Sequence, residues 1–315
     1  MSENDCPVRI VNLRKEYHGF VSVNDLNLDI KKNSFTGLLG PNGAGKSTTL
    51  KILTHLINAT SGNAYINGVD VTENPKKALS SVGTVIETPE FYPYLTPRET
   101  MRYIGEIIGL NKESISNQTD FILEKVRMTE WGDKKMGTFS KGMKQRIAIG
   151  QSLMNNPSLV ILDEPTSGLD PRGMAEMRDI LKNLRNDMNG LTVVMSSHMM
   201  YEVQDLCDRV AIINHGTLVL HDDISAITAD KGISNLVVKT RSLPTDDAAA
   251  AIGRLPYVLS SEKIGTEIHI RYDIEQGQTS DLFTQLGNLG LGVCELREGD
   301  NLEARFLALT KDSEM

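Results

Sequence analysis

Cysteine is scarce: Cys6, Cys207 and Cys294 are the only three in 315 residues. They are odd in number and widely spaced, which excludes a disulfide framework and a cysteine zinc site and leaves reduced thiols. No stretch approaches the roughly 20 consecutive apolar residues of a membrane-spanning helix. The opening MSENDCPVRIVNL lacks the basic-then-apolar pattern of a secretion signal, so the expected location is the cytoplasm. Runs of Lys and Arg are missing too, and the net charge is −8. That balance lacks the electrostatic footprint of a nucleic-acid binder, so no nucleic acid is expected as partner. What is present is ordinary for a globular protein, with 40% hydrophobic and 23% charged residues. The length suits a large domain with a smaller one appended.

Two grammars alternate along the chain. PVRIVNL and FVSVNDLNLDI switch between apolar and polar residues with period two, as half-exposed antiparallel strands do. SFTGLLG is instead a short continuous apolar run, followed by a Gly-rich turn and by KSTTLKILTHLI at helical spacing. After the hairpin-like SGNAYINGVDV, the stretch RETMRYIGEIIGL and residues 114–127 read as a helical subdomain. From Thr138 the order is helix (KGMKQRIAIGQSLM), buried strand (LVILDEP), helix (171–188), buried strand (LTVVMSSH) and hairpin (RVAIINHGTLVLHDD). Alternating units of this kind build a parallel sheet with crossover helices. The class is α/β, with the first domain placed at 1–225.

Residues 226–315 read as a separate small α+β domain. Its order is strand (SNLVVKT), helix (PTDDAAAAIGRL), two strands around Gly265, helix (TSDLFTQLGNL), strand (GVCELREG) and final helix (LEARFLALT). This is the split βαβ, ferredoxin-like arrangement. The domain is acidic and carries no catalytic constellation, so a structural or regulatory appendage is expected.

The residues that carry chemistry cluster in the first domain. Gly40, Pro41, Asn42, Gly43, Ala44, Gly45, Lys46 and Ser47, with Thr48 next, match G-x-x-x-x-G-K-[ST] between a strand and a helix. Glycines there let successive backbone N–H groups turn inward around phosphate oxygens at a helix N-terminus. Lys46 then reaches the β- and γ-phosphates, and the Ser47 hydroxyl sits on Mg²⁺, which makes ATP and Mg²⁺ the expected ligands. SLVILDEP brings Asp163 and Glu164 to the exit of a buried strand. There Asp163 can hold Mg²⁺, and Glu164 can orient and deprotonate the attacking water. Ser140 is a good N-cap, and Gly142 permits close backbone approach in the first helical turn.

Over residues 8–222 these motifs resemble the ATP-binding-cassette family, whose fold is a phosphate-loop nucleotide-binding domain with a mixed sheet and a helical subdomain. The family signature LSGGQ corresponds to Phe139-Ser140-Lys141-Gly142-Met143, which keeps Ser and the second Gly and departs at the first Gly and the Gln. Ser167-Gly168-Leu169-Asp170 resembles the family's D-loop, and Ser196-Ser197-His198 its switch histidine, which contacts the γ-phosphate. Tyr17 matches the aromatic that stacks on adenine. Where the family usually has Gln, VGTVIETPEFYPYLT places Glu87, with the reach to ligate Mg²⁺ and a full charge. This Glu-loop together with SKGMKQR is similar to exporters of bacitracin and lantibiotic-type peptides.

The resemblance implies an ATPase whose catalytic residues are Lys46, Glu164 and His198. It implies a head-to-tail homodimer in which each ATP lies between one phosphate loop and Ser140 and Gly142 of the second copy. It also implies a membrane permease on a separate chain and peripheral attachment to the inner face of the cell membrane. The alternative is a soluble cassette ATPase acting as a nucleotide-dependent switch.

Overall fold

The computed structural model describes residues 6–188, 190–228 and 233–298. The chain divides into two compact units, Met1–Asp222 and Asp223–Met315. The helix expected over LEARFLALT lies outside the described residues.

The first unit is built on a six-stranded sheet. From edge to edge its strands are Thr217–Asp223, Arg209–Asn214, Phe35–Leu39, Thr192–Ser197, Leu159–Leu162 and Val82–Val85. The registers of Phe35–Leu39 with both its neighbours, and of the remaining pairs out to Val82–Val85, are parallel. Parallel strands are covered on both faces, which is why they read as unbroken apolar runs rather than alternating ones. Every residue of Phe35–Leu39, Leu159–Leu162, Thr192–Ser197 and Arg209–Asn214 is buried. Because the strands point the same way, their C-terminal ends share one edge, and the phosphate loop, the Asp163–Glu164 pair and the Ser196–His198 segment all start there. Ligands of open α/β sheets bind at that edge.

A second, antiparallel sheet orders Phe20–Ile30, Val8–Tyr17, Ser61–Ile66 and Val69–Asp70. Its inward residues, among them Val8, Ile10, Val23, Leu26 and Leu28, join Leu38, Leu50, Ile161 and Ala211 in one buried cluster. The phosphate-loop helix, Lys46–Leu53, is therefore clamped between the two sheets. Its apolar stripe, Leu50, Ile52 and Leu53, is buried. The helix is shorter than KSTTLKILTHLI suggests. Thr54 Oγ1 donates to the Leu50 carbonyl at 2.9 Å, and His55 turns left-handed at φ 54°, which stops the helix.

The helical subdomain consists of Pro97–Ile107, Lys112–Lys125 and Lys141–Ser152. Thr96 and Glu99 form a reciprocal capping box on the first of these, and Asn111 caps the second. A four-residue helix, Pro75–Ala78, is too short for its periodicity to have shown in the sequence.

The second unit has the sheet order Val258–Ile264, Glu267–Asp273, Ile233–Thr240 and Val293–Glu298, with all printed pairings antiparallel. Helices Asp246–Ile252 and Thr279–Asn288 contribute Ala248, Ala249, Ile252, Leu282 and Leu286 to its core. Taken in chain order, the first and third strands are central and the second and fourth lie at the edges, which is the ferredoxin-like arrangement.

Candidate functional site

The strand Phe35–Leu39 delivers the chain into Gly40, where only glycine fits: a Cβ would stand 2.2 Å from the Ile213 carbonyl oxygen. Ala44 is buried behind the loop, and its carbonyl accepts from Gly216 N–H at 3.0 Å, while Pro41, Asn42 and Gly43 are exposed. Gly45 precedes the helix at φ 101°, a conformation closed to side chains, and a Cβ there would meet the Ser22 carbonyl oxygen at 2.5 Å. The first-turn N–H groups of the helix therefore face the loop without side-chain caps, as an anion site requires. Thr48 turns the other way and shares a 2.9 Å hydrogen bond with Ser22 of the antiparallel sheet.

Lys46 is 4% exposed and folds back over the loop. Its Nζ donates to the carbonyls of Gly40 at 2.7 Å and Pro41 at 3.0 Å, and lies 3.9 Å from Glu164 Oε1. Burial pulls its pKa below the ordinary lysine value, opposed by the charges of Glu164 and Asp163.

Asp163 is anchored from two sides, accepting on Oδ1 from Ser47 Oγ at 2.9 Å and from Ser196 Oγ at 2.6 Å. Ser196 Oγ in turn accepts from the Glu164 N–H at 2.9 Å. Glu164 sits at φ 44°, sparsely used by residues with a Cβ. Its Oε1 meets His198 Nδ1 at 3.2 Å, and its carbonyl accepts from Ser167 N–H at 3.0 Å, tying the D-loop to the same turn. Lys46, Ser47, Asp163, Glu164, Ser196 and His198 thus form one connected cluster. Ser196 was not among the residues expected to act. Its signal was a hydroxyl at the end of a strand that reads as fully buried, where a polar group must find partners.

The donor set suits a hard divalent cation. Mg²⁺ uses one or two protein oxygens beside phosphates and water, and octahedral ligands at about 2.05 Å stand about 2.9 Å apart. Ser47 Oγ donates to Asp163 Oδ1 at 2.9 Å, so a hydroxyl and a carboxylate oxygen already stand side by side beside the phosphate loop. No group of three or more His, Cys, Asp or Glu able to hold a metal occurs among the described residues, so an all-protein cage is not what these residues build.

The other expected residues lie outside the cluster. Glu87 follows the strand Val82–Val85, sits at φ 66° and pairs with the Lys51 ammonium instead of joining Ser47 and Asp163. Tyr17 ends the strand Val8–Tyr17, is 40% exposed as a residue, and has Lys15 Nζ 4.8 Å from its ring centroid. Ser140 caps the helix Lys141–Ser152 by accepting from Met143 N–H at 3.3 Å, and its carbonyl accepts from Lys144. Those bonds close within its own helix. Gly142 has room to spare: an added Cβ would meet only Leu169 Cδ2, at 3.8 Å.

Replacing Ser196 with alanine leaves the Glu164 N–H without its partner and Asp163 with one donor fewer, a local cost of about 1–3 kcal/mol. The expected result is a 10- to 100-fold fall in kcat with the fold intact, read by phosphate release and thermal unfolding.

Residues 23–167 match the family described as ABC transporter, and residues 135–203 also match an AAA-domain family. The bacitracin transport ATP-binding protein BcrA of Bacillus licheniformis is 42% identical over 212 residues, 67% of this chain and 68% of that protein. The linearmycin resistance ATP-binding protein LnrL of Bacillus subtilis (strain 168) is 33% identical over 305 residues, 95% of this chain and 96% of its own length. Among solved structures, a dimeric ATP-binding cassette in a post-hydrolysis state with ADP and Pi superposes with a TM-score of 0.61 at 26% identity, covering 69% of this chain and 98% of that one.

Proposed function

The chain belongs to the ABC transporter family as an ATP-binding and ATP-hydrolysing subunit, and from that premise we propose that it powers export through a permease on a separate chain. The working form is an ATP-dependent homodimer attached to the inner face of the cell membrane. The cargo class follows the relatives, whose names specify bacitracin transport, lantibiotic transport and linearmycin resistance: a drug or an antimicrobial-peptide-like molecule. No helix among the described residues is long and apolar enough to cross a membrane, which agrees with a pathway carried by a separate permease. Tyr92, Tyr94 and Tyr103 form an exposed aromatic cluster, with centroids 5.6 and 6.2 Å apart, just beyond Glu87. Exposed apolar patches of this kind mark interaction surfaces, and this one suits the permease. The motor role belongs to residues 1–225, which hold every candidate site residue, and an accessory, regulatory role to residues 226–315.

In the mechanism, Lys46 and the N–H groups of the helix Lys46–Leu53 hold the phosphates, and Tyr17 stacks on the base. Ser47 and Asp163 would hold Mg²⁺, which would supply charge neutralisation to the phosphates. Glu164 orients a water for in-line attack and takes its proton. Protonated on both nitrogens, His198 donates from Nδ1 to Glu164 Oε1 and from Nε2 to the γ-phosphate. The expected gain comes from positioning and charge stabilisation.

Gly142 carries the dimer reading. A glycine in a helix costs about 0.8–1.0 kcal/mol relative to alanine, and nothing within the protomer requires it. The demand comes from outside, from a nucleotide brought against this helix start by the second copy. Gly142→Arg is therefore expected to retain the fold and ATP binding by the isolated chain, and to lose ATP-induced dimers and at least about 100-fold in kcat. Equilibrium nucleotide binding, size-exclusion chromatography with ATP and phosphate release test this together. Normal turnover by the variant would contradict the composite site.

A further inference from the structure

Lys51 has no place in the phosphate-loop motif, yet it stands beside the site. It follows Ser47 by four residues on the helix Lys46–Leu53, so both lie on one helix face. Its ammonium pairs with Glu87 Oε1. Glu87 belongs to a different segment, just past the strand Val82–Val85, and its backbone at φ 66° is one that a residue with a Cβ seldom adopts. The carboxylate is thus directed at Lys51 by an unusual local conformation. The Glu87 hydrogen bond raises the Lys51 pKa, against burial; the charges of Glu87, Asp163 and Tyr17 raise it further. The same pair holds the Glu87 carboxyl below the usual carboxylate range. Lys51 therefore touches Glu87, the metal ligand that the resemblance implies, and lies at longer range in the field of Asp163.

We propose that Lys51 is a positioning residue that competes with Mg²⁺ for the Glu87 carboxylate. This rests on the reading of Glu87 as a metal ligand. One carboxylate faces two cations: while it pairs with the ammonium it is withheld from Mg²⁺, and when it turns to Mg²⁺ the ammonium is released toward solvent. A glutamine at position 87 has no net charge to offer Lys51, so the competition is specific to glutamate there. Lys51 and Glu87 thereby act as a pair that sets the Mg²⁺ concentration at which the loop engages.

The test is a Mg²⁺ titration of binding of a fluorescent, non-hydrolysable ATP analogue to the full chain, with four variants. Lys51→Met is expected to lower the half-saturating Mg²⁺ concentration roughly two- to fivefold, the range of an exposed ion pair. Lys51→Arg, which keeps the charge, is expected to match the unaltered chain. Glu87→Gln is expected to raise the half-saturating concentration, and Lys51→Met added to Glu87→Gln to change nothing further. An unchanged or raised value in Lys51→Met overturns the proposal, as does an equal shift in both backgrounds, which would assign the effect to Asp163 or the phosphates. A Glu87→Gln variant with an unaltered Mg²⁺ response overturns the premise that Glu87 is a ligand. A chain that binds no analogue at any Mg²⁺ concentration overturns instead the nucleotide site itself.

Discussion

Glu164→Gln is expected to lower kcat by about 10²–10⁴-fold, the range for loss of a general base, while ATP binding is retained. The side chain keeps its length and still offers an oxygen to His198 Nδ1, which meets Glu164 Oε1 at 3.2 Å. It loses the basicity needed to take a proton from water. It also removes a negative charge 3.9 Å from the Lys46 ammonium, so repulsion toward a polyanionic nucleotide falls and binding holds or tightens. ATP that is bound and not hydrolysed keeps two copies closed, so the variant is expected to elute as a dimer with ATP and Mg²⁺ and as a monomer without. Phosphate release and size-exclusion chromatography read the two effects separately. A variant that retains turnover removes Glu164 from its role; one that loses turnover and never dimerises with ATP removes the sandwich.

Lys46→Met is expected to weaken ATP about 10- to 100-fold, since a hydrogen bond to a charged group contributes about 1.5–3 kcal/mol. The sign follows from the local charge. Lys46 stands in the field of Asp163 and Glu164, and with the ammonium gone those two carboxylates meet the phosphates uncompensated. The carbonyls of Gly40 and Pro41 also lose the donor that gathers the loop. The fold is expected to survive, because the loop is seated by Gly216 N–H on the Ala44 carbonyl and by the buried Leu50, Ile52 and Leu53. Equilibrium binding of ATP with a thermal melt as control checks this, and unaltered affinity would remove Lys46 from the phosphate site.

Much of this site was legible because its residues are short-range signals on long-range architecture. SFTGLLG, SLVILDEP and LTVVMSSH each end a fully buried parallel strand, and parallel strands necessarily bring their C-terminal ends to one edge. The sequence order of Lys46, Asp163, Glu164 and His198 therefore implied their proximity. The element order of residues 226–298 likewise implied a ferredoxin-like sheet.

What could not be read were choices of partner made in three dimensions. Lys51 and Glu87 are far apart in sequence, and their pairing depends on a left-handed turn at Glu87 that glutamate does not advertise. Ser196 holds Asp163 and the Glu164 backbone because the strand Thr192–Ser197 lies directly beside Leu159–Leu162, a neighbour relation that chain order alone leaves open. The helix end at Leu53 was set by the Thr54 hydroxyl bonding back to the Leu50 carbonyl and by a left-handed histidine, while the apolar residues Leu56 and Ile57 continued the helical pattern past it. Gly142 was expected as a site of close approach, and within its own protomer an added Cβ there would meet only Leu169 Cδ2, at 3.8 Å.

The central claim, that two copies build each ATP site between them, is tested most directly by Mg²⁺-dependent ATP hydrolysis measured per subunit across a range of protein concentrations. The account predicts a rate per subunit that rises with concentration toward a plateau and vanishes in Glu164→Gln. A rate per subunit that is constant down to concentrations at which the chain is wholly monomeric would contradict it.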